Sequence, residues 1–160
     1  MIRSSKSTIA PVGGSVLSVS PAEEDHVALE RIFNDAARMA PAKTQWQLSR
    51  TRTLASALSE LRQAEYAVIM CERYLGHGGW KDLLESTQRL TNPPFLIVTS
   101  RHADDYLWAE ALNLGAHDVL AKPFYPAEVT RVVNLACLRW QRERRDAAKP
   151  PIPELAAAGG

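Results

Sequence analysis

"PFLIVTSRHADDYLWAEALNLGAHDVLAKPF", residues 94–124, carries the reading of the fold. It opens on an apolar run, Phe95 to Val98, and closes on a shorter one, Val119 to Ala121. Continuous apolar runs of this length suit strands of a parallel sheet covered on both faces. Between them, "ADDYLWAEALNLG" (103–115) starts with acids and ends on Gly115, as a helix with a glycine C-terminal cap does. Lys122 follows the second strand directly and precedes Pro123, which has no amide proton to continue a ladder. An ammonium delivered to the mouth of a core strand needs a partner, because burying it unpaired is costly.

The same alternation extends outward in both directions. "SVLSV" (15–19) predicts a strand, and "PAEEDHVALERIFNDAARM" (21–39) a helix with Val27, Leu29, Ile32, Phe33 and Ala36 at helical spacing. The acids Glu23, Glu24 and Asp25 fall in its first turn, where the helix dipole favours them. "WQLSR" (46–50) reads as a second strand, and "TLASALSELRQA" (53–64) as a helix with Leu54, Leu58 and Leu61 on one face. "YAVIMC" (66–71) reads as the third strand, "ERYLGHGGW" as a glycine-bearing loop and "WKDLLESTQRL" (80–90) as a helix. After Lys122, "PAEVTRVVNLACLRWQRERR" (126–145) sets Val129, Val132, Val133, Ala136 and Trp140 in one stripe. Five strand–helix pairs with short connections predict an α/β fold, a doubly wound five-stranded parallel sheet with helices on both faces. The expected organisation is a flexible leader over 1–13, one domain over 14–147 and a disordered tail over 148–160.

Composition narrows the function. The chain has 160 residues, 46% of them hydrophobic, which suits a single domain with one core. A formal net charge of +1 gives no global field toward nucleic acid or an anionic membrane, so neither is an expected partner. The apolar runs fall well short of the ~20 residues a membrane span needs. Cys71 and Cys137 stand far apart in apolar stretches, without a CxxC pattern or a Cys/His cluster. This argues against a disulfide framework or zinc site and fits a reducing cytoplasm. His26 reads as a partly exposed structural residue, His77, His102 and His117 as loop residues, and "RWQRERR" (139–145) as a solvated helix end.

In doubly wound folds, sites form at the carboxyl ends of the strands. Those ends deliver Ser20 and Pro21, Cys71 and Glu72, Thr99 and Ser100, and Lys122. The arrangement resembles the receiver domain of two-component response regulators, related to the chemotaxis receiver, over about residues 15–145. "PPFLIVTSRHADD…AEALNLGAHDVLAKPF" follows that family's order of apolar strand, Thr/Ser-Ala, acidic helix start, AxxxGA and KPF. "GHGGWKDLL" resembles its turn and third helix. The resemblance implies the flavodoxin-like receiver topology. It also implies an aspartate ending strand three that accepts a phosphoryl group from a phosphohistidine, with two acids after strand one helping it bind magnesium. A threonine and a lysine at the ends of strands four and five then hydrogen-bond the phosphoryl oxygens. The lysine precedes a proline whose peptide bond is usually cis.

Carried over by position, the retained pocket residues are Thr99, Lys122 and Pro123. The acid pair falls on Ser20 and Pro21, and the phosphoacceptor, counted back from Gly79, on Cys71. The aromatic that swings with the threonine, three residues before the lysine, falls on Val119. Nearby acids that could substitute are Glu23, Glu24 and Glu72. Glu72 enters the pocket only if the loop is one residue shorter, since a one-residue shift along a strand turns a side chain to the other face. Lys122 is therefore expected to meet no aspartate; Glu72, Glu24, a bound anion and water remain open as its partner. Having lost three carboxylates and kept its ammonium, the crevice is expected to prefer an anion, and no cofactor, magnesium included, is expected.

The resulting expectation is a stand-alone, cytoplasmic, receiver-like signalling domain. It is not an enzyme, is not phosphorylated on aspartate and works through protein–protein contact. Its partner is a histidine kinase, an output protein or a second copy of the chain. Such contact would use the face of the fourth and fifth helices, where Tyr106, Trp108, Leu114, Leu135 and Leu138 cannot all lie on the core stripe. Two alternatives stay open: a phosphorelay receiver using displaced acids, and a thiol redox sensor in which Lys122 activates Cys71.

Overall fold

The computed structural model of the chain describes residues 12–41 and 44–150. Strands and helices alternate along it: β1 (Val12–Val19), α1 (Glu23–Met39), β2 (Thr44–Thr51), α2 (Leu54–Gln63), β3 (Val68–Glu72), α3 (Trp80–Thr87), β4 (Phe95–Ser100), α4 (Asp105–Leu114), β5 (Asp118–Ala121) and α5 (Pro126–Ala148). All neighbouring strands are parallel, in the order β2-β1-β3-β4-β5. This is the flavodoxin-like order and the expected doubly wound α/β fold.

Successive side chains of a strand point to opposite faces, and both faces here are covered. Leu17, Val19, Ile69, Cys71, Leu96, Val98 and Val119 pack toward α2, α3 and α4. Val16, Val68, Met70, Ile97 and Leu120 pack toward α1 and α5. Ile97 is fully shielded and Leu120 nearly so. Each contributes about 2 kcal/mol through burial. On α5, Val129, Val132, Val133 and Ala136 are buried at the predicted spacing, with Trp140 packed beside them.

Some boundaries differ from the sequence expectation. β1 begins at Val12, so the expected leader 1–13 gives up its last two residues to the sheet. Gly13 is needed there: a Cβ would stand 2.5 Å from the Gln45 carbonyl oxygen of β2. The glycine marks a close backbone approach within a strand. α5 runs to Ala148, one residue past the expected domain end. The rest of the expected leader, and the tail beyond residue 150, lie outside the described residues. β2 exceeds the predicted 46–50 at both ends. α3 stops at Thr87 rather than residue 90, where the Thr87 hydroxyl donates back to the Leu84 carbonyl at 2.8 Å. Gly115 caps α4 as predicted, with φ of 108° in the left-handed region. No helix among the described residues is long and apolar enough to cross a membrane.

Candidate functional site

Lys122 leaves the carboxyl edge of the sheet just past β5, its amide still bonded to the Ser100 carbonyl at 3.0 Å. Its peptide bond to Pro123 is cis. The ammonium turns under α1 and meets two carboxylates, Asp25 Oδ2 at 2.7 Å and Glu72 Oε1 at 2.5 Å. These side chains are only 9% (Lys122), 10% (Asp25) and 15% (Glu72) exposed.

Further hydrogen bonds fix the carboxylates. The Ser20 hydroxyl donates to the same Asp25 Oδ2 at 2.7 Å and accepts the Ala22 amide at 3.1 Å. The Tyr74 amide donates to Glu72 Oε2 at 3.1 Å, so both Glu72 oxygens are engaged. Behind Asp25, the buried His26 lies 3.0 Å by its Nε2 from the Ser20 carbonyl and 2.8 Å by its Nδ1 from the Ser18 hydroxyl. A carbonyl only accepts, so Nε2 carries a hydrogen and donates it. Together these bonds tie the first turn of α1 to the end of β1. That turn also places Asp25 at the positive end of the helix dipole.

Burial pushes the Lys122 pKa down, but hydrogen bonds and charge from Asp25 and Glu72 outweigh it and hold the ammonium above its ordinary lysine value. Two carboxylates against one ammonium leave the pocket with net negative charge. Lys122 therefore does not stand as a lone ammonium open to an anion; its nitrogen is held by two acids of the chain.

Several expected positions are corrected by this geometry. Lys122 does meet an aspartate, Asp25, which was not among the substitute acids considered. The apolar stripe of α1 pointed to it: Leu29, Ile32 and Phe33 are buried, and Asp25 and His26 continue that stripe one turn toward the N-terminus. Glu23 instead faces outward to Arg50 and Arg52, and Glu24 faces Arg101 at 3.8 Å. Glu72, not Cys71, takes the strand-three position in the pocket. The loop before Gly79 is one residue shorter than the count assumed, which moves the position forward by one and reverses the face. Cys71 is completely buried on the opposite face, among Val19, Val98 and Val119. Burial first, and then the Glu72 charge, push its thiol far above the ordinary value, the reverse of an activated thiolate. Cys137 is likewise core, its thiol pushed up to about 12 by burial.

The remaining positions divide cleanly. Ser20 lies in the pocket as a hydroxyl donor, whereas Pro21 is exposed. Thr99 is buried and pairs in register with Glu72, so it shares the pocket's face of the sheet. Val119 is buried beneath α4. His26 is 1% exposed, not partly exposed as expected, because both ring nitrogens have partners inside.

Receiver-like folds imply magnesium at this edge, and the residues present do not fit it. Magnesium takes oxygen ligands in near-ideal octahedral geometry. Here each carboxylate aims an oxygen at the ammonium, and the acid-pair positions are a serine and a proline. Among the described residues, no group of three His, Cys, Asp or Glu side chains could hold a metal ion.

No family model matches the chain. Over 77 residues it is 32% identical to the regulatory protein VanRc of Enterococcus gallinarum, a stretch covering 48% of this chain but only 33% of that protein's length. Solved structures are similar over far more of it. The receiver domain of an HD domain-containing protein from Pseudomonas fluorescens is 21% identical, covers 90% of this chain and 98% of its own, and superposes with a TM-score of 0.70. A two-component response regulator from Clostridium difficile is 18% identical over 78% of this chain and 95% of its own, with a TM-score of 0.63. A chemotaxis response regulator of Vibrio cholerae is 14% identical over 76% and 97%, with a TM-score of 0.64. At these identities the likeness establishes the fold, and that fold is the receiver domain's.

Proposed function

We propose that this chain is a cytoplasmic receiver-like signalling domain, not an enzyme, that acts through protein–protein contact without accepting a phosphoryl group. The observation that carries this reading is the clamp on Lys122. Forming an acyl phosphate needs a carboxylate oxygen free to attack and cations to offset the charge that gathers on the phosphoryl oxygens. Glu72 has one oxygen on the Lys122 ammonium and the other on the Tyr74 amide. The ammonium that would meet the phosphoryl group is already shared between two buried carboxylates.

A fixed pocket implies a fixed output. Val119, buried and β-branched, has few rotamers and cannot copy an aromatic ring that swings between buried and exposed. The outward side of α4 and α5 displays Tyr106, Leu112, Leu114 and Leu135, all at least 48% exposed. Exposed apolar side chains on both helices support a contact surface for a kinase, an output protein or a second copy.

The placement of Asp25 and Glu72 together also favours a second reading, a phosphorelay receiver built on displaced acids. Incubation with acetyl phosphate and magnesium separates the two. Intact-mass measurement is expected to show no gain of one phosphoryl group. A hydroxylamine-sensitive adduct on Glu72 would establish the second reading instead.

A further inference from the structure

We infer that the Lys122 ammonium is the pocket's resident cation, so the native pocket rejects divalent ions and becomes a site for them once that ammonium is removed. The inference concerns the same pocket as the proposed function. Its experiment reads cation binding rather than phosphoryl transfer, so either can fail alone.

Two carboxylate oxygens that touch one nitrogen can touch one metal ion. Asp25 Oδ2 and Glu72 Oε1 converge on Nζ at 2.7 and 2.5 Å from opposite elements, α1 and β3. The Ser20 hydroxyl, 2.7 Å from Asp25 Oδ2, holds that carboxylate in place. While the ammonium is present, an entering divalent ion meets a like charge at contact distance in a largely dry setting, which is strongly unfavourable. With the ammonium gone, two buried carboxylates are left unpaired, and a divalent ion relieves both. Size favours calcium over magnesium. Calcium binds oxygen at about 2.3–2.6 Å and tolerates irregular geometry, whereas magnesium demands about 2.0–2.1 Å and near-ideal octahedral order. The Nζ–oxygen distances lie near the calcium range.

Thermal melting of the full chain tests this with calcium chloride, magnesium chloride and sodium chloride matched in ionic strength. Three proteins are compared: wild type, Lys122→Ala, and Lys122→Ala combined with Glu72→Gln. Wild type should not respond to either divalent ion beyond the sodium control. Lys122→Ala should rise by about 5 °C with calcium at ten times its dissociation constant, and by less with magnesium. The double variant, with one carboxylate left, should lose the response. Where Lys122→Ala is too unstable to fold unaided, recovery of its circular dichroism on refolding in calcium, but not in sodium, is the equivalent result. A divalent shift in wild type overturns the inference, and so does a Lys122→Ala protein that neither shifts nor refolds with calcium. A larger response to magnesium than to calcium overturns the size argument.

Discussion

Glu23 and Asp25 stand two residues apart in the first turn of α1, and both are ion-paired, yet they belong to different worlds. Glu23 accepts from Arg50 Nη1 and Arg52 Nη2, each at 2.6 Å, and Arg50 Nη2 reaches on to Glu30 at 2.6 Å. Asp25 accepts from Lys122 and Ser20, each at 2.7 Å. By distance alone the surface network is at least as good. What differs is the surrounding medium. The Arg50 and Glu23 side chains are 36% and 48% exposed, against 9% and 10% for Lys122 and Asp25. An exposed pair gains little because water solvates each charge nearly as well as its partner does. A buried pair leaves its survivor stranded when one member is removed. The weight of an ion pair lies in what remains after it is broken.

The largest effect should therefore come from Lys122→Met. It leaves Asp25 and Glu72 facing each other with only Ser20 and the Tyr74 amide for support, and should destabilise the domain by about 3–5 kcal/mol in denaturant titration. Adding Asp25→Asn and Glu72→Gln to that variant should recover most of the loss, since no buried charge then lacks a partner. The pH profile carries the same signature. Asp25 and Glu72 more than offset burial and raise the folded-state pKa of Lys122 above the unfolded one. A raised pKa means that stabilisation is complete below the ordinary lysine value of about 10.4 and is lost as pH climbs through the folded value. Wild type should weaken on that alkaline limb, and Lys122→Met should lack this contribution. Equal stability of the two proteins at neutral pH would show that the buried pair carries no more weight than the exposed one.

The sequence made one half of this pocket far more legible than the other. The second half of the chain was plain because its signals are local: an apolar run, an acidic helix start, the Gly115 cap, a second run, then Lys122 before Pro123. Each fixes its own element, and five such units leave few topologies. The acids were harder because their identity depends on facing. Glu72 could be assigned only by knowing the length of a glycine-containing loop to one residue, and that single residue exchanges Cys71 for Glu72 on the pocket face. Asp25 was within reach, since the buried stripe of α1 runs back through it, but three consecutive acids in a first turn looked alike as dipole partners. Gly13 fell within the stretch expected as a leader, although it serves a close strand contact instead. Long-range contact, such as that between Lys122 and a helix turn 97 residues earlier, leaves no local trace.

Ser20→Ala removes a neutral contact from the buried pocket and leaves every charge in place. The hydroxyl is inside, donates to a carboxylate and accepts the Ala22 amide, so both partners lose a bond that water replaces poorly. Hydrogen bonds to charged groups contribute more than neutral ones, and a loss of about 2 kcal/mol is expected. Lys122 still pairs with Asp25, so the loss should stay below that of Lys122→Met. A Ser20→Ala protein as stable as wild type would show that water reaches Asp25 and that the pocket is wetter than its exposure suggests.

Arg50→Gln should have the smallest effect, although it deletes two ion pairs where Lys122→Met deletes one shared ammonium. Glu23 keeps Arg52, and Glu30 turns to solvent, so neither carboxylate is left dry. The melting temperature should move no more than for an ordinary surface substitution. Salt then separates mechanism from magnitude. At about 1 M salt the screening length falls to about 3 Å, and whatever Arg50 contributes should vanish there. The Lys122→Met deficit should persist in the same sodium chloride, because the methionine side chain fills the space the ammonium held and monovalent salt screens a buried pair far less than an exposed one. If the Arg50→Gln loss were instead as large as that of Lys122→Met and survived high salt, exposure would have failed to rank these contacts. The first turn of α1 would then be held from its outer face, by Glu23 with Arg50 and Arg52, rather than from the pocket.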